Sequence, residues 1–313
     1  MPDVTFNSAP SRSITSAPAL MVHLANDIKL SHSIFALPFA VLASFLAAAS
    51  LTPELPRVSA LALIIVCMVL GRTMAMAVNR WADASLDALN RRTAGRAIPT
   101  GRLSARFVLM TAVICGVGLV IAAAGFWWLH DNPWPVICSP LILAWLAGYS
   151  FTKRYTWLCH GFLGAALALS PLAAAIAIKP ASLGGIEPYL LAFMVICWVA
   201  GFDVIYALQD VAIDRKTGVY SLPAAFGIEP ALWTSRCLHA FALAALIALA
   251  YLSPVLGAGF SIGIVIVAAL LILEHALVWK SDTHYIHLAF FTVNGIISLV
   301  LGTLGVWDIV RRV

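Results

Sequence analysis

The chain has 313 residues, of which 62% are hydrophobic and only 11% charged, with a mean hydropathy of +0.96 and a formal net charge of +5. Soluble domains carry roughly a quarter charged residues. A chain this apolar lacks the polar surface to face water, so it is an integral membrane protein, and its positive charge speaks to membrane orientation rather than to nucleic acid.

Residues 1–27 are rich in Ser, Pro and Ala and lack the apolar core of a secretory signal. They read as a flexible tail ahead of one transmembrane domain over 28–313. A spanning helix needs ~20 mostly apolar residues. Such stretches run over 33–51, 58–78, 106–129, 134–151, 158–178, 188–208, 236–253, 256–279 and 286–307, which predicts an all-α bundle of nine transmembrane helices with short connections.

The basic residues orient these spans. With the N-terminus inside, 14 fall on the cytoplasmic side: Arg12, Lys29, Arg80, Arg91, Arg92, Arg96, Arg102, Arg106, Lys153, Arg154, Arg215, Lys216, Arg236 and Lys280. Four fall on the far side, Arg57, Lys179, Arg311 and Arg312, and Arg72 lies within a span. This bias predicts an inside N-terminus and an outside C-terminus, with Arg311 and Arg312 the discordant pair. The six cysteines show no CxxC and read as small packing residues, and the eight histidines show no zinc spacing.

Directly after the second span comes "NRWADASLDALNRRTAGRAIP", residues 79–99. At ~100° per helical residue, Asn79, Asp83 and Asp87 share an arc of ~80°, with Arg72 on the same stripe. Carboxylates spaced i, i+4 repel one another, and more strongly as the surroundings dry out. Ionisable groups at the end of a span cost about 2.5–3.5 kcal/mol each at a helix centre, so they usually mark a site. A hard cation reverses the penalty, and Mg²⁺ binds through a few carboxylates while sharing its shell with phosphate oxygens.

Span six ends in the same way. "GFDVIYALQDVAIDRKTGVYSLP" places Asp203, Tyr206, Asp210 and Asp214 within another ~80° arc if the helix is continuous. Each acidic pair is followed by basic residues, Thr, Gly and Pro, and both pairs lie at the cytoplasmic end of an even-numbered span. Two such stripes suggest one site for a Mg²⁺-bound polyanion, with diphosphate the best fit. The plain alternative is a set of helix-end salt bridges with the neighbouring arginines. In "AGYSFTKRYTWL", Tyr149 and Lys153 stand one turn apart, either as an interfacial girdle or, beside the carboxylates, with Lys153 as a diphosphate contact.

These motifs resemble the UbiA superfamily of intramembrane aromatic prenyltransferases. NxxxDxxxD is Asn79, Asp83 and Asp87; the second DxxxD is Asp210 and Asp214; YxxxK between them is Tyr149 and Lys153. The similarity covers roughly 28–310, with the motifs in family order. It implies a helical bundle open laterally to lipid, with a cytoplasm-facing cap over the active site in a bacterial inner membrane. The implied chemistry moves a prenyl group from a polyprenyl diphosphate to an aromatic ring. Asp83, Asp87, Asp210 and Asp214 would hold Mg²⁺, while Arg72, Asn79, Lys153 and Arg96 would stabilise the leaving diphosphate. Tyr149, Tyr206 and Phe202 would face the allylic cation, and Asp203 is the candidate acceptor of the ring proton.

"SIFALPFA", "RTAGRAIP" and "YSFTKRYTWLCHGFLGAALALSPLAA" resemble the 4-hydroxybenzoate polyprenyltransferase branch. That branch commonly has Asn-Asp at the start of the first motif, where Arg80 follows Asn79 here, and often Arg where Ala84 follows Asp83. "GRTMAMAVNR" and "GFDVIYALQD" lean toward relatives that prenylate 1,4-dihydroxy-6-naphthoate for menaquinone. Both acceptors are hydroxylated aromatic acids, and Arg154 is the expected carboxylate anchor. An ion-coupled transporter is the distant alternative, but its buried acids would sit near the bilayer midplane in broken helices.

Overall fold

A computed structural model describes residues 17–27, 35–50, 52–278, 286 and 289–313. Its helices are α1 (Ala17–Asp27), α2 (Leu37–Ala49), α3 (Val58–Leu89), α4 (Ala105–His130), α5 (Trp134–Thr152), α6 (Cys159–Ile178), α7 (Glu187–Ala207), α8 (Val211–Thr217), α9 (Leu222–Phe226), α10 (Ile228–Leu252), α11 (Ala258–Leu277) and α12 (Asn294–Arg312). No strand occurs among the described residues.

Eight of the expected spans are long and apolar enough to cross a membrane, counting α7 with α8 as one. The first, expected over 33–51, is described as the 13-residue α2, since residues 33, 34 and 51 lie outside the described set. Arg12, Lys29 and Lys280 of the orientation tally also lie outside it. Local signals explain several helix starts. The Ser104 hydroxyl accepts the Phe107 N–H at 3.1 Å to cap α4. Proline in the first turn starts α2, α5, α7 and α9.

The bundle is closed by pairs of neighbouring helices, chiefly α7 with α10, α3 with α4, α6 with α7, and α2 with α6 and α12. Lipid tails give no hydrophobic drive for such pairing, so close backbone approach must supply it. At Gly164 on α6, a Cβ would sit 2.5 Å from the Ile196 carbonyl of α7. At Gly302 on α12, it would sit 2.6 Å from Pro38 of α2. A buried polar chain adds to this: the Trp198 indole donates to Asn294 Oδ1 at 2.7 Å, and Asn294 Nδ2 donates to Glu274 Oε1 at 2.8 Å. Exposed Trp127, Trp128 and Trp134 gather at the α4–α5 turn, a pattern typical of a membrane interface.

At the other end of α3, the chain departs from the expected free tail. Residues 1–16 lie outside the described set, but Ala17–Asp27 is helical. Leu20 and Leu24, one turn apart, pack with Val78, Ala97 and Leu103. Asp27 Oδ1 accepts the Ala97 N–H at 3.0 Å, and its carbonyl accepts from Arg80 Nε at 3.1 Å. The α1 helix thereby closes over the 90–104 loop, because an apolar stripe and a well-placed acid outweigh the polar composition around them.

The α6–α7 contact yields the first prediction. Gly164→Ala drives a methyl group into the Ile196 backbone and should cost about 1–3 kcal/mol, the scale of overpacking. The control is Gly148→Ala on α5, where a Cβ meets nothing within 4 Å. Thermal unfolding in detergent should show a clear loss for the first and none for the second; equal midpoints would reject the close-packing account.

Candidate active site

The first acidic stripe is built as its spacing predicted. The α3 helix runs from Val58 to Leu89, and Arg72, Asn79, Asp83 and Asp87 line one cavity of about 870 Å³. The second stripe is a correction. Asp203 and Tyr206 lie on α7, but the backbone tightens into a 3₁₀ turn over Leu208–Asp210 before α8 carries Asp214. Gln209 Nε2 donates to the Tyr206 carbonyl at 3.2 Å, a local bond that competes with the regular helix ladder. Three backbone pieces, rather than one helical arc, bring these residues to the same cavity wall.

Each motif carboxylate meets a donor from another stretch of chain. Lys153 Nζ, just past α5, donates to Asp83 Oδ2 at 2.5 Å, and Asn79 Nδ2 donates to the same oxygen at 3.0 Å. Arg96 Nη1 reaches both oxygens of Asp87 at 2.7 Å. Arg92 grips Asp210 through Nε at 3.1 Å and also through Nη2, and its Nη1 donates to the Tyr206 hydroxyl at 2.8 Å. Asn90 Nδ2 adds a bond to Asp210 Oδ1 at 2.8 Å, and the Ser221 hydroxyl donates to Asp214 Oδ2 at 2.7 Å. Burial works against the Arg92 charge, yet the bond to Asp210, with Tyr206 and Asp87 nearby, outweighs it and raises the guanidinium pKa.

The structure brings most of the sequence-predicted site residues to this cavity. Asp203, Tyr149, Tyr206, Lys153 and Arg96 all face the cavity with the four motif acids. Arg154 does not. Its guanidinium lies 5.1 Å over the Phe151 ring, donates to the Ala82 carbonyl and stands 3.7 Å from Asp83 Oδ1, so it braces α3 from outside. Arg72 instead borders the cavity with its Nε buried and without a hydrogen-bond partner among the described residues.

Several lining residues escaped the sequence reading: His23 and Asp27 of α1, Asn90, Arg92 and Arg102 of the loop, and His160 at the start of α6. Nothing in "NRRTAGR" tells which arginine turns inward, because a loop has no period to project. In the sequence His160 is a lone histidine at the start of the 158–178 stretch. Its Nδ1 lies 2.7 Å from Asp203 Oδ2.

A second, apolar cavity of about 190 Å³ adjoins the first. Ile64, Met68, Phe126, Leu146 and Ala166 help to line it, and Arg72, Met76, Tyr149, Leu163 and Leu167 border both. A charged mouth thus leads into a hydrocarbon pocket between α2, α3, α4, α5 and α6.

With this geometry in place, the model of the UbiA prenyltransferase family matches residues 36–296. The chain belongs to that family. It is therefore a prenyltransferase, as the three motifs implied. It is 33% identical to the 4-hydroxybenzoate octaprenyltransferase of Serratia proteamaculans over 55% of this chain and 57% of that one. With the enzyme of the same name from Chromohalobacter salexigens it shares 30% identity, over 75% of this chain and 76% of that one. The apo structure of a UbiA homologue from Aeropyrum pernix superposes with a TM-score of 0.79 at 31% identity, covering 91% of this chain and 99% of the other. A UbiA homologue from Archaeoglobus fulgidus, solved with DMAPP and Mg²⁺, shares the fold at a TM-score of 0.65 and 19% identity, over 92% and 98% of the two chains.

The loop arginines separate cleanly in a test. Arg92 lines the cavity and its neighbour Arg91 does not. A hydrogen bond to a charged group is worth about 1.5–3 kcal/mol, so Arg92→Ala should lower kcat/KM for prenyl transfer at least about tenfold. Arg91→Ala should stay near wild type, and equal effects in steady-state kinetics would show that loop charge alone matters.

Proposed function

We propose that this protein transfers a polyprenyl group from a polyprenyl diphosphate to a hydroxylated aromatic carboxylic acid, with 4-hydroxybenzoate the favoured acceptor, as a step of quinone biosynthesis. The observation that carries this reading is the charged mouth itself. Four carboxylates from two motifs share one cavity with Arg92, Arg96 and Lys153, and a hydrocarbon pocket opens directly beside them. An amphiphile with an anionic head and an apolar tail matches both halves.

The donor set fits Mg²⁺. It is all oxygen, and Asp83 Oδ1, 3.7 Å from Arg154, is buried without a hydrogen-bond partner among the described residues. Among the described residues no three carboxylate, imidazole or thiol groups close around a single point, so an ion here would take part of its shell from a ligand, as Mg²⁺ does with phosphate. Asp83, Asp87, Asp210 and Asp214 would hold it, and when bound it supplies charge neutralisation on the diphosphate. The protein's cations do the rest. As diphosphate arrives, Arg92, Arg96 and Lys153 exchange carboxylate oxygens for phosphate oxygens without leaving the wall, and they hold the charge released when the allylic C–O bond breaks. Phe202, Tyr206 and Phe290 pack edge to face and tilted against one another at centroid distances of 5.2 and 4.3 Å, and their ring faces suit an allylic cation kept from water.

The acceptor needs a cation of its own, because a buried unpaired carboxylate is heavily penalised. Arg72 replaces Arg154 in this role. It lies two turns inward from Asn79, ~10 Å along the helix, at the border of the two cavities, and its Nε has no hydrogen-bond partner among the described residues. Asp203, on the opposite wall, would receive the ring proton. The excess of basic residues around the site supports a cytoplasm-facing mouth.

Turnover of purified protein with one labelled polyprenyl diphosphate and a panel of aromatic acids tests the reading. Product should form with 4-hydroxybenzoate, only with Mg²⁺, and fall about a hundredfold in Asp83→Asn and Asp210→Asn. Better turnover of 1,4-dihydroxy-6-naphthoate would move the protein to the other branch. No prenylated aromatic with any acid, or full rate in excess chelator, would sink the proposal. In the same assay Arg72→Ala should raise KM for the aromatic acid at least about tenfold, the loss of one charged contact, whereas Arg154→Ala should leave it nearly unchanged. The reverse pattern would restore Arg154 as the anchor.

A further inference from the structure

We infer that His160 is a positioning residue that sets which oxygen of Asp203 accepts the ring proton, and that the Ser221–Leu222 turn couples this pair to the second acidic motif. The inference rests on the assignment of Asp203 as proton acceptor made above.

The imidazole of His160 is buried and bonded at both nitrogens. The Leu222 backbone N–H lies 3.2 Å from Nε2, and Asp203 Oδ2 lies 2.7 Å from Nδ1. A backbone N–H can only donate, so Nε2 accepts and carries no hydrogen. The ring proton is therefore on Nδ1 and is donated to Asp203. This tautomer follows from the partners alone, as it does where a backbone group orients a functional histidine.

Two consequences follow. Oδ2 of Asp203 already accepts the Nδ1–H bond, which lowers its basicity and leaves Oδ1 the better oxygen to receive the ring proton. The carboxylate is also fixed in rotation, and its side chain, 24% exposed, remains open to the cavity. After the allylic carbon bonds to the ring, the hydrogen at that ring carbon leaves as a proton to Asp203 Oδ1. The C–H electron pair returns to the ring and restores aromaticity, while the C–O electron pair has already left with diphosphate. His160 keeps its own proton throughout.

The coupling lies in the backbone. Ser221, next to Leu222, holds Asp214 Oδ2 at 2.7 Å. One turn thus orients an acid of the diphosphate site and the histidine behind the proton acceptor. Lys153 fixes the same turn from the other side, since its carbonyl accepts the Tyr220 N–H at 2.8 Å.

The test uses the full-length protein, labelled prenyl diphosphate and 4-hydroxybenzoate, or whichever acid the panel selects, protonated or deuterated at the reacting ring carbon. Outer-shell partners of this kind are typically worth about 10–100-fold. His160→Phe should lower kcat by that factor, leave KM for prenyl diphosphate within about threefold of wild type, and raise the deuterium isotope effect. His160→Asn puts an N–H donor near the Nδ1 position and should recover most of the rate. His160→Gln places its carbonyl near Nε2, keeps the Leu222 bond and loses the donor to Asp203. It should resemble His160→Phe and takes its place if the phenylalanine variant does not fold. Equal losses in the Asn and Gln variants with an unchanged isotope effect would overturn the inference and leave His160 a packing residue. Wild-type kinetics in His160→Phe beside an inactive Asp203→Asn would overturn it while sparing Asp203. A fully active Asp203→Asn would instead remove the assignment on which it rests.

Discussion

Four aspartates share one partly dry cavity, and their mutual repulsion has to be answered before the bundle can close. The structure answers it locally. Asp83 takes Lys153 from the end of α5, while Asp87 and Asp210 take Arg96 and Arg92 from the 90–104 loop. Each cation keeps 24–30% of its side chain open to solvent, so its removal acts chiefly by leaving a more buried carboxylate uncompensated. The 90–104 loop, the end of α5 and the turn after α7 are held where they are by these pairs. The α1 helix follows, since Asp27 docks on Arg80 and on the loop backbone at Ala97.

The same constraint prepares chemistry. On the proposed reading, the cations that balance the carboxylates would also balance phosphates, so binding would change partners rather than expose charge. Preorganised donors of this sort cost little reorganisation at the moment of bond cleavage. The apolar pocket adjoining the mouth gives direction to the arrangement, with hydrocarbon on one side and charge on the other. Rigidity comes from farther away, from glycines that let α6 approach α7 and α2 approach α12, and from the Trp198–Asn294–Glu274 chain in the opposite half of the bundle.

The sequence by itself determined the class, the spans and the first stripe, because hydropathy and helical period are local properties. The α3 helix carries Arg72, Asn79, Asp83 and Asp87 to one wall as the four-residue spacing requires. Motif order was enough to identify the family and to gather Tyr149, Lys153, Asp210 and Asp214 into one candidate site. Only the tertiary structure decided the rest. A helical period cannot foresee the 3₁₀ turn at Leu208–Asp210, and a loop has no period by which to choose Arg92 over Arg91. Arg72 borders both cavities and Arg154 lines neither, because accessibility to a cavity depends on what packs behind each side chain. His160 and Asp203 are 43 residues apart in the chain and 2.7 Å apart in space, a proximity created by the packing of α6 against α7 and by nothing that either segment carries alone.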